Sequence, residues 1–241
     1  MFRKLISNIP NSITCLNLVC GVTACIFSFR FSEMIGGLYG MEWVWIFIGA
    51  AAIFDFCDGA AARALHAYSD LGKQLDSLSD LVSFGVAPSL LMFNLIGCYN
   101  GGWEWWSFTT LMIAVCGALR LAKFNIDDSQ HDTFRGLPIP ANAIFWIGFS
   151  AWSTMNVYPG NWVTVAFIVF IALMMISPMR MFSLKFTSWG MEANLRRYII
   201  LAAAVIFFFT TGIAGFAWTI ILYIIMSAFG SKSPDSRQQI K

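Results

Sequence analysis

Charged residues are scarce in this sequence. Only 12% of its 241 residues are Asp, Glu, Lys or Arg, whereas hydrophobic residues make up 58%. A soluble globular domain carries about 25% charged residues. Together with a mean hydropathy of +0.69, this shortage argues against a soluble domain and in favour of a membrane protein.

The residues that build thiolate, imidazole or basic sites are also scarce. The chain has six cysteines and two histidines, and no two cysteines form a CxxC pair. The cysteines are therefore interpreted as small apolar core residues rather than a zinc site or a disulfide framework. A net charge of +2 without a basic tract indicates no nucleic-acid partner.

Long uncharged stretches dominate what is present, at residues 43–54, 81–103, 105–119, 136–179 and 198–231. About 20 apolar residues are needed to cross a bilayer core of ~30 Å. These stretches predict an all-α, polytopic integral membrane helix bundle with eight transmembrane helices, forming one catalytic domain over residues 12–230. The predicted spans are 12–30, 43–65, 76–97, 105–124, 140–156, 162–178, 197–212 and 215–230.

Both ends of the chain are predicted to lie outside the bundle. Residues 1–11 place apolar side chains on one side and Arg3 and Lys4 off it, which predicts a short amphipathic helix on the membrane surface that ends at Pro10. Residues 231–241 are predicted to be a polar cytoplasmic tail. With the N-terminus in the cytoplasm, every basic residue except Arg30 falls on the cytoplasmic side, as the positive-inside rule requires.

Four aspartates interrupt this apolar pattern. Asp55 and Asp58 are three residues apart, and Asp76 and Asp80 are four apart, so each pair shares one face of a helix. The topology makes the two helices antiparallel neighbours, and both pairs are expected to meet near the cytoplasmic surface. A carboxylate in a membrane costs several kcal/mol unless something neutralises it, so this cluster needs a partner.

Bound divalent cations are the partners that the acids favour, because oxygen ligands suit Mg²⁺ or Mn²⁺. Such ions would also organise a phosphoryl group for displacement. The alternatives are a buried ion-pair network, a solvated loop, or the cation pathway of a divalent-cation transporter. Gly59 and the alanines after it allow close approach of a ligand, and Arg63 suits a phosphate. These residues favour an enzyme with an anionic substrate over a transporter.

The complete pattern is Asp55-x2-Asp58-Gly59-x2-Ala62-Arg63-x8-Gly72-x3-Asp76-x3-Asp80. It resembles, at every fixed position, the signature of the CDP-alcohol phosphotransferases, which are membrane enzymes that displace CMP from a CDP-linked lipid with an alcohol. The resemblance implies two divalent cations, Mg²⁺ or Mn²⁺, and a homodimer. It also implies a prokaryotic inner membrane, with both termini and the active site facing the cytoplasm.

The resemblance also assigns roles to individual residues. Asp55, Asp58, Asp76 and Asp80 would be metal ligands, and Asp80 would also be the catalytic base for the alcohol. Asn11 and Thr14 are candidates either for the nucleotide contact or for capping the first span. The residues expected at the CDP-lipid site are Asp58, Gly59, Ala62, Arg63 and Gly72, together with Asn11 and Thr14.

Three later segments bear on the acceptor alcohol: "DLVSFGVAPS" from Asp80, "RLAKFN" at 120–125 and "RGLPIPANA" at 135–143. They are similar to the branch of the family that transfers the phosphatidyl group of CDP-diacylglycerol to L-serine. Glycerol phosphate, inositol phosphate and choline remain alternative acceptors. The serine-site candidates, which inner-leaflet anchoring would explain equally well, are Arg120, Lys123 and Arg135, with Asn125 as a fourth.

Overall fold

The computed structural model describes residues 8–126, 134–182 and 191–230, and almost all of them are helical. The helices are α1 Ile9–Ser28, α2 Gly40–Ala64, α3 Asp70–Asp80, α4 Ala87–Asn100, α5 Leu111–Ile126, α6 Ile139–Met155, α7 Asn161–Ile176, α8 Met191–Thr211 and α9 Gly215–Gly230. A π-helical segment, Leu81–Val86, joins α3 to α4, and two 3₁₀ helices lie at Trp105–Thr110 and Gly212–Ala214.

Two short antiparallel strand pairs complete the described fold. β1 (Met34–Ile35) pairs with β2 (Leu38–Tyr39) just before α2. β3 (Phe134–Arg135) pairs with β4 (Arg180–Met181), so that Arg135 lies opposite Arg180. The second pair brings the segment before α6 next to the segment after α7.

Each predicted span corresponds to a helix, and the all-helical fold class is confirmed. Within the described residues, five helical stretches are long and apolar enough to cross a membrane: 9–28, 40–64, 70–100, 105–126 and 194–229. The last of these is interrupted at Gly212–Ala214, and α7 is apolar but shorter. The chain is therefore a helical membrane protein, and the number of eight crossings stays a prediction.

The start of α1 differs from the boundary expected at Pro10. Residues 1–7 of the predicted surface helix, like the predicted tail 231–241, lie outside the described residues. The remainder of that predicted segment belongs to α1, which begins at Ile9 with Pro10 in its first turn. Proline lacks a backbone N–H, and the first turn of a helix has no acceptor for that N–H, so Pro10 starts this helix rather than ending one.

The π-helical segment follows from a proline inside a continuous helical stretch. Pro88 has no N–H to donate to the carbonyl of Phe84, four residues earlier, and its ring crowds that carbonyl. The backbone widens instead, and Ala87 N–H donates to the carbonyl of Val82. The side-chain amide of Asn142 on α6 donates to the Phe84 oxygen at 2.9 Å. The carbonyl that lost its helical partner is thus satisfied inside the membrane, as it must be.

Small and polar residues let α1 pack closely against α2, α3 and the π segment. The buried stripe of α1 includes Thr14, Asn17, Gly21 and Ala24. A Cβ on Gly21 would lie 2.8 Å from the Cα of Ser83, so only glycine permits this approach. The stripe therefore faces the aspartate-bearing helices rather than lipid.

Candidate active site

Three of the four patterned aspartates come together in the structure. Asp55 lies on α2, and Asp76 and Asp80 lie one turn apart on α3. One carboxylate oxygen from each lies within 4.8 Å of the others. Asp80 is buried, and Asp55 and Asp76 are half-buried. Asp80 is repelled by both of the other carboxylates, which makes a cation the natural ligand of this cluster.

Asp58 has a different environment from the other three acids. Its side chain is 6% exposed, and it accepts a hydrogen bond of 2.6 Å from the Thr14 hydroxyl of α1. It still repels Asp76 electrostatically. The structure therefore places Asp58 next to the cluster of Asp55, Asp76 and Asp80, with its orientation set by α1.

This donor set fits a hard divalent cation. The three clustered residues offer only carboxylate oxygens, and such ligands suit Mg²⁺ or Mn²⁺ rather than softer metals. The cluster combines a half-buried entrance with one buried carboxylate, so that a cation can be held while still open to substrate.

The other predicted CDP-lipid residues lie around the ends of α1, α2 and α3. A Cβ on Gly59 would lie 3.5 Å from Arg63 Nη1, so the guanidinium lies beside Gly59. A Cβ on Gly72 would lie 2.9 Å from Asn11 Oδ1, so the glycine lets the first turn of α1 approach α3. Ala62 lies one turn after Asp58, and its carbonyl accepts from Ala67 N–H at the end of α2. These residues border the adjoining ends of the same three helices.

Two contacts at this site were missed by the sequence reasoning. Asn17 on α1 is fully buried, and its amide donates to Asp80 Oδ1 at 3.3 Å. The Ser83 hydroxyl of the π segment donates to the Asn17 carbonyl at 3.0 Å. The available signal was helical spacing, because Asn17 follows Thr14 by three residues and so faces the same way.

A cavity of about 450 Å³ is lined by three of the four predicted serine-site residues, Arg120, Lys123 and Arg135. Arg120 is buried and is attracted to Asp80, which links the cavity to the acid cluster. Its guanidinium carbon also lies 5.7 Å from the centre of the Phe124 ring. The rest of the lining is Phe124, Ile126, Met175, Ile176, Ser177 and Pro178.

Asn125, the fourth candidate, has different neighbours. Its side-chain amide donates to the Ser77 hydroxyl at 2.9 Å, and its carbonyl accepts from Lys73 Nζ at 3.3 Å. These bonds connect the end of α5 to α3. Asn125 thus lies outside the lining of the cavity and connects α5, which lines the cavity, to the acid-bearing helix α3.

With this geometry in view, comparison with known proteins defines the class. The family model of CDP-alcohol phosphatidyltransferases matches residues 7–209, which include both the acid cluster and the cationic cavity. The chain belongs to this family.

The similar curated proteins include several with one and the same name, CDP-diacylglycerol–serine O-phosphatidyltransferase. The Bacillus subtilis protein is 42% identical over 132 residues, which are 55% of this chain and 69% of that protein. The Methanocaldococcus jannaschii protein is 36% identical over 178 residues, covering 74% and 75%. The match to the Mycobacterium bovis protein spans only about half of that longer relative, 55% of its length, at 35% identity.

Proposed function

We propose that this protein transfers the phosphatidyl group of CDP-diacylglycerol to the hydroxyl of L-serine, giving phosphatidylserine and CMP. The observation that carries the proposal is the electrostatic interaction between two unlike environments: Arg120, which lines a cationic cavity, attracts Asp80 of the carboxylate cluster. The names of the similar proteins support the same reaction.

The acid cluster serves the CDP-lipid half of the reaction. Asp55, Asp58, Asp76 and Asp80 would hold two divalent cations, Mg²⁺ or Mn²⁺. Such ions, when bound, neutralise a pyrophosphate and stabilise the charge on the departing CMP. Arg63 and the close-approach positions Gly59 and Gly72 line the space between the helix ends. Asn11 and Ala62 border the same space.

The cationic cavity serves the acceptor. Free serine carries a carboxylate, and a guanidinium binds a carboxylate through paired, charge-assisted hydrogen bonds. The Nε of Arg120 is buried and has no hydrogen-bond partner among the described residues, so it is available for this role. Lys123 and Arg135 add positive charge at the opening of the cavity.

Asp80 is the base in this proposal. The serine oxygen forms a bond to the phosphorus that bears diacylglycerol, and the bond from that phosphorus to the bridging oxygen of CMP breaks. The electron pair leaves with CMP, and the serine proton passes to the Asp80 carboxylate. Asp80 also interacts electrostatically with Arg120 of the cavity, which supports an approach of the acceptor to Asp80 from that side.

The membrane arrangement completes the proposal. Eight helices cross the bilayer, both termini and the site face the cytoplasm, and the active form is a homodimer in a prokaryotic inner membrane. Cysteines introduced in a cysteine-free variant test the orientation: Tyr68→Cys lies in the predicted cytoplasmic turn, and Val157→Cys in a predicted outer loop. A membrane-impermeant maleimide added to intact cells should label only Val157→Cys, and the reverse pattern would overturn the orientation.

The reaction itself is tested with purified full-length protein in phospholipid nanodiscs. CDP-diacylglycerol and Mg²⁺ or Mn²⁺ are supplied with serine, glycerol phosphate, inositol phosphate or choline, and the release of CMP is measured. We expect release with serine only, together with phosphatidylserine. Release with another alcohol and not with serine would overturn the acceptor assignment. Cation flux into vesicles without CMP release under any acceptor would favour a transporter.

A further inference from the structure

Asn17 is a polar residue of α1 that hydrogen-bonds Asp80, and neither the motif nor the proposed reaction gives it a role. It lies in the middle of α1, is fully buried, and points at the acid cluster. Its amide nitrogen donates to Asp80 Oδ1 at 3.3 Å. We infer that Asn17 is a positioning residue, which holds the Asp80 carboxylate in the orientation needed to accept a proton. This inference rests on the base role proposed for Asp80.

The environment of Asp80 shows why such a residue is needed. Two carboxylates, Asp55 and Asp76, repel Asp80, while Arg120 attracts it from the side of the cavity. These influences act on Asp80 from the cluster and from the cavity. The Asn17 amide adds a directional hydrogen bond from a third side, that of α1.

A neutral donor suits this position better than a cation. A second arginine or lysine beside Asp80 would pair with the carboxylate and compete with the cations proposed for the cluster. An amide forms a directional hydrogen bond and adds no net charge. Asn17 therefore fixes the direction of the carboxylate without neutralising it.

The backbone around Asn17 is itself held firmly. The Ser83 hydroxyl donates to the Asn17 carbonyl at 3.0 Å. One turn further along α1, Gly21 leaves no room for a side chain against Ser83. The backbone position of Asn17 is consequently fixed, and this keeps its side-chain amide within reach of Asp80.

The side-chain oxygen of Asn17 argues against a purely structural role. This atom, Oδ1, is buried and has no hydrogen-bond partner among the described residues. Buried amides that serve folding alone are normally satisfied at both ends. The amide of Asn142, for comparison, donates to Phe84 and accepts from Trp146.

The test compares Asn17→Leu with Asn94→Leu. Both changes replace an amide with an apolar side chain of similar size, but Asn94 donates only to Leu90 of its own helix. For Asn17→Leu, we expect kcat to fall about 10- to 100-fold, the effect of one hydrogen bond to a charged group. The KM values for both substrates, and CDP-diacylglycerol binding without serine, should stay within about threefold. Asn94→Leu should retain the original kcat.

Two further variants keep the test decisive. Asn17→Gln retains an amide donor and should recover part of the kcat lost in Asn17→Leu. If Asn17→Leu fails to fold, the kcat of Asn17→Gln is compared with that of the unmodified protein. In an Asp80→Asn background, Asn17→Leu should have less than about a twofold further effect, because coupled residues are not additive. Equal kcat for Asn17→Leu and the unmodified protein would overturn the inference alone. Full activity of Asp80→Asn would instead overturn the proposed base.

Discussion

The acids of the site come from α2 and α3, which a short turn connects, whereas the cations of the cavity come from α5 and β3. The acids are already held in place, since Thr14 bonds Asp58 and Asn17 bonds Asp80. In the cavity, Arg120 Nε has no partner among the described residues, and Lys123 and Arg135 are exposed. One half of the site is preorganised, and the other is arranged to receive a ligand.

The largest effect on activity is expected when the proposed base is removed. Asp80→Asn keeps the size of the side chain but removes the carboxylate, so we expect kcat to fall about 10²- to 10⁴-fold. Binding of CDP-diacylglycerol should largely survive, because Asp55, Asp58 and Asp76 remain. CMP release and lipid binding are measured on the same preparation.

Asp70→Asn is the matched control for that change. Asp70 is exposed in the first turn of α3 and lies outside the acid cluster, so its variant should turn over normally. Unimpaired turnover by Asp80→Asn would exclude this residue as the base.

An intermediate effect is expected on the acceptor side. Arg120→Gln removes the buried guanidinium, and the loss of a charge-assisted hydrogen bond should raise the KM for serine about 10- to 100-fold. The KM for CDP-diacylglycerol should change less than about threefold, because the acid cluster is intact. Steady-state kinetics with each substrate varied in turn separates the two values.

Arg30→Gln provides the comparison for Arg120→Gln. Arg30 pairs with Glu33 at the opposite end of the bundle, and its loss should leave both KM values unchanged. If Arg120→Gln raised the KM for the lipid and not for serine, the division of the site into two halves would be wrong.

The smallest effect is expected at the support of Asp58. Thr14→Val removes the hydroxyl that donates to Asp58 at 2.6 Å and keeps the shape of the side chain. The same hydroxyl lies 3.0 Å from the Pro10 carbonyl of its own helix, so two acceptors share one donor hydrogen. We therefore expect a loss of about 1 kcal/mol, less than for an unshared bond to a carboxylate, and kcat/KM for CDP-diacylglycerol should fall about fivefold.

Thr23→Val on the same helix is the control, since the Thr23 hydroxyl bonds only to Val19 of its own helix. Its kcat/KM should match that of the unmodified protein. Equal values for the two valine variants would mean that the α1 contact does not support the acid.

The difference between the acid cluster and the cavity also explains which features could be predicted from the sequence. Hydrophobic runs determine membrane helices directly, so the eight predicted spans matched helices closely, with the last span, Gly215–Gly230, matching at both ends. The acids and Arg63 lie within one short motif, and their mutual spacing carries the chemistry. Residues close in sequence on connected helices have few ways to be arranged.

The remaining features depend on contacts between distant parts of the chain. Pro88 weakens one helical hydrogen bond, but only the approach of Asn142 shows how the Phe84 carbonyl is satisfied. Asn17 and Asp80 are 63 residues apart, and no local pattern connects them. Asn125 lies two residues after Lys123 in the same segment, yet tertiary packing turns its amide towards Ser77.

The polar stripe of α1 also has a consequence for how the protein is made. Thr14 bonds Asp58, which lies 44 residues later in the chain, and Asn17 bonds Asp80, which lies 63 residues later. The Thr14 hydroxyl can bond the Pro10 carbonyl of its own helix from the start, whereas the Asn17 amide has its partner on α3. The third apolar stretch therefore brings into the membrane both the partner of a buried amide in the first stretch and two acids of the cluster.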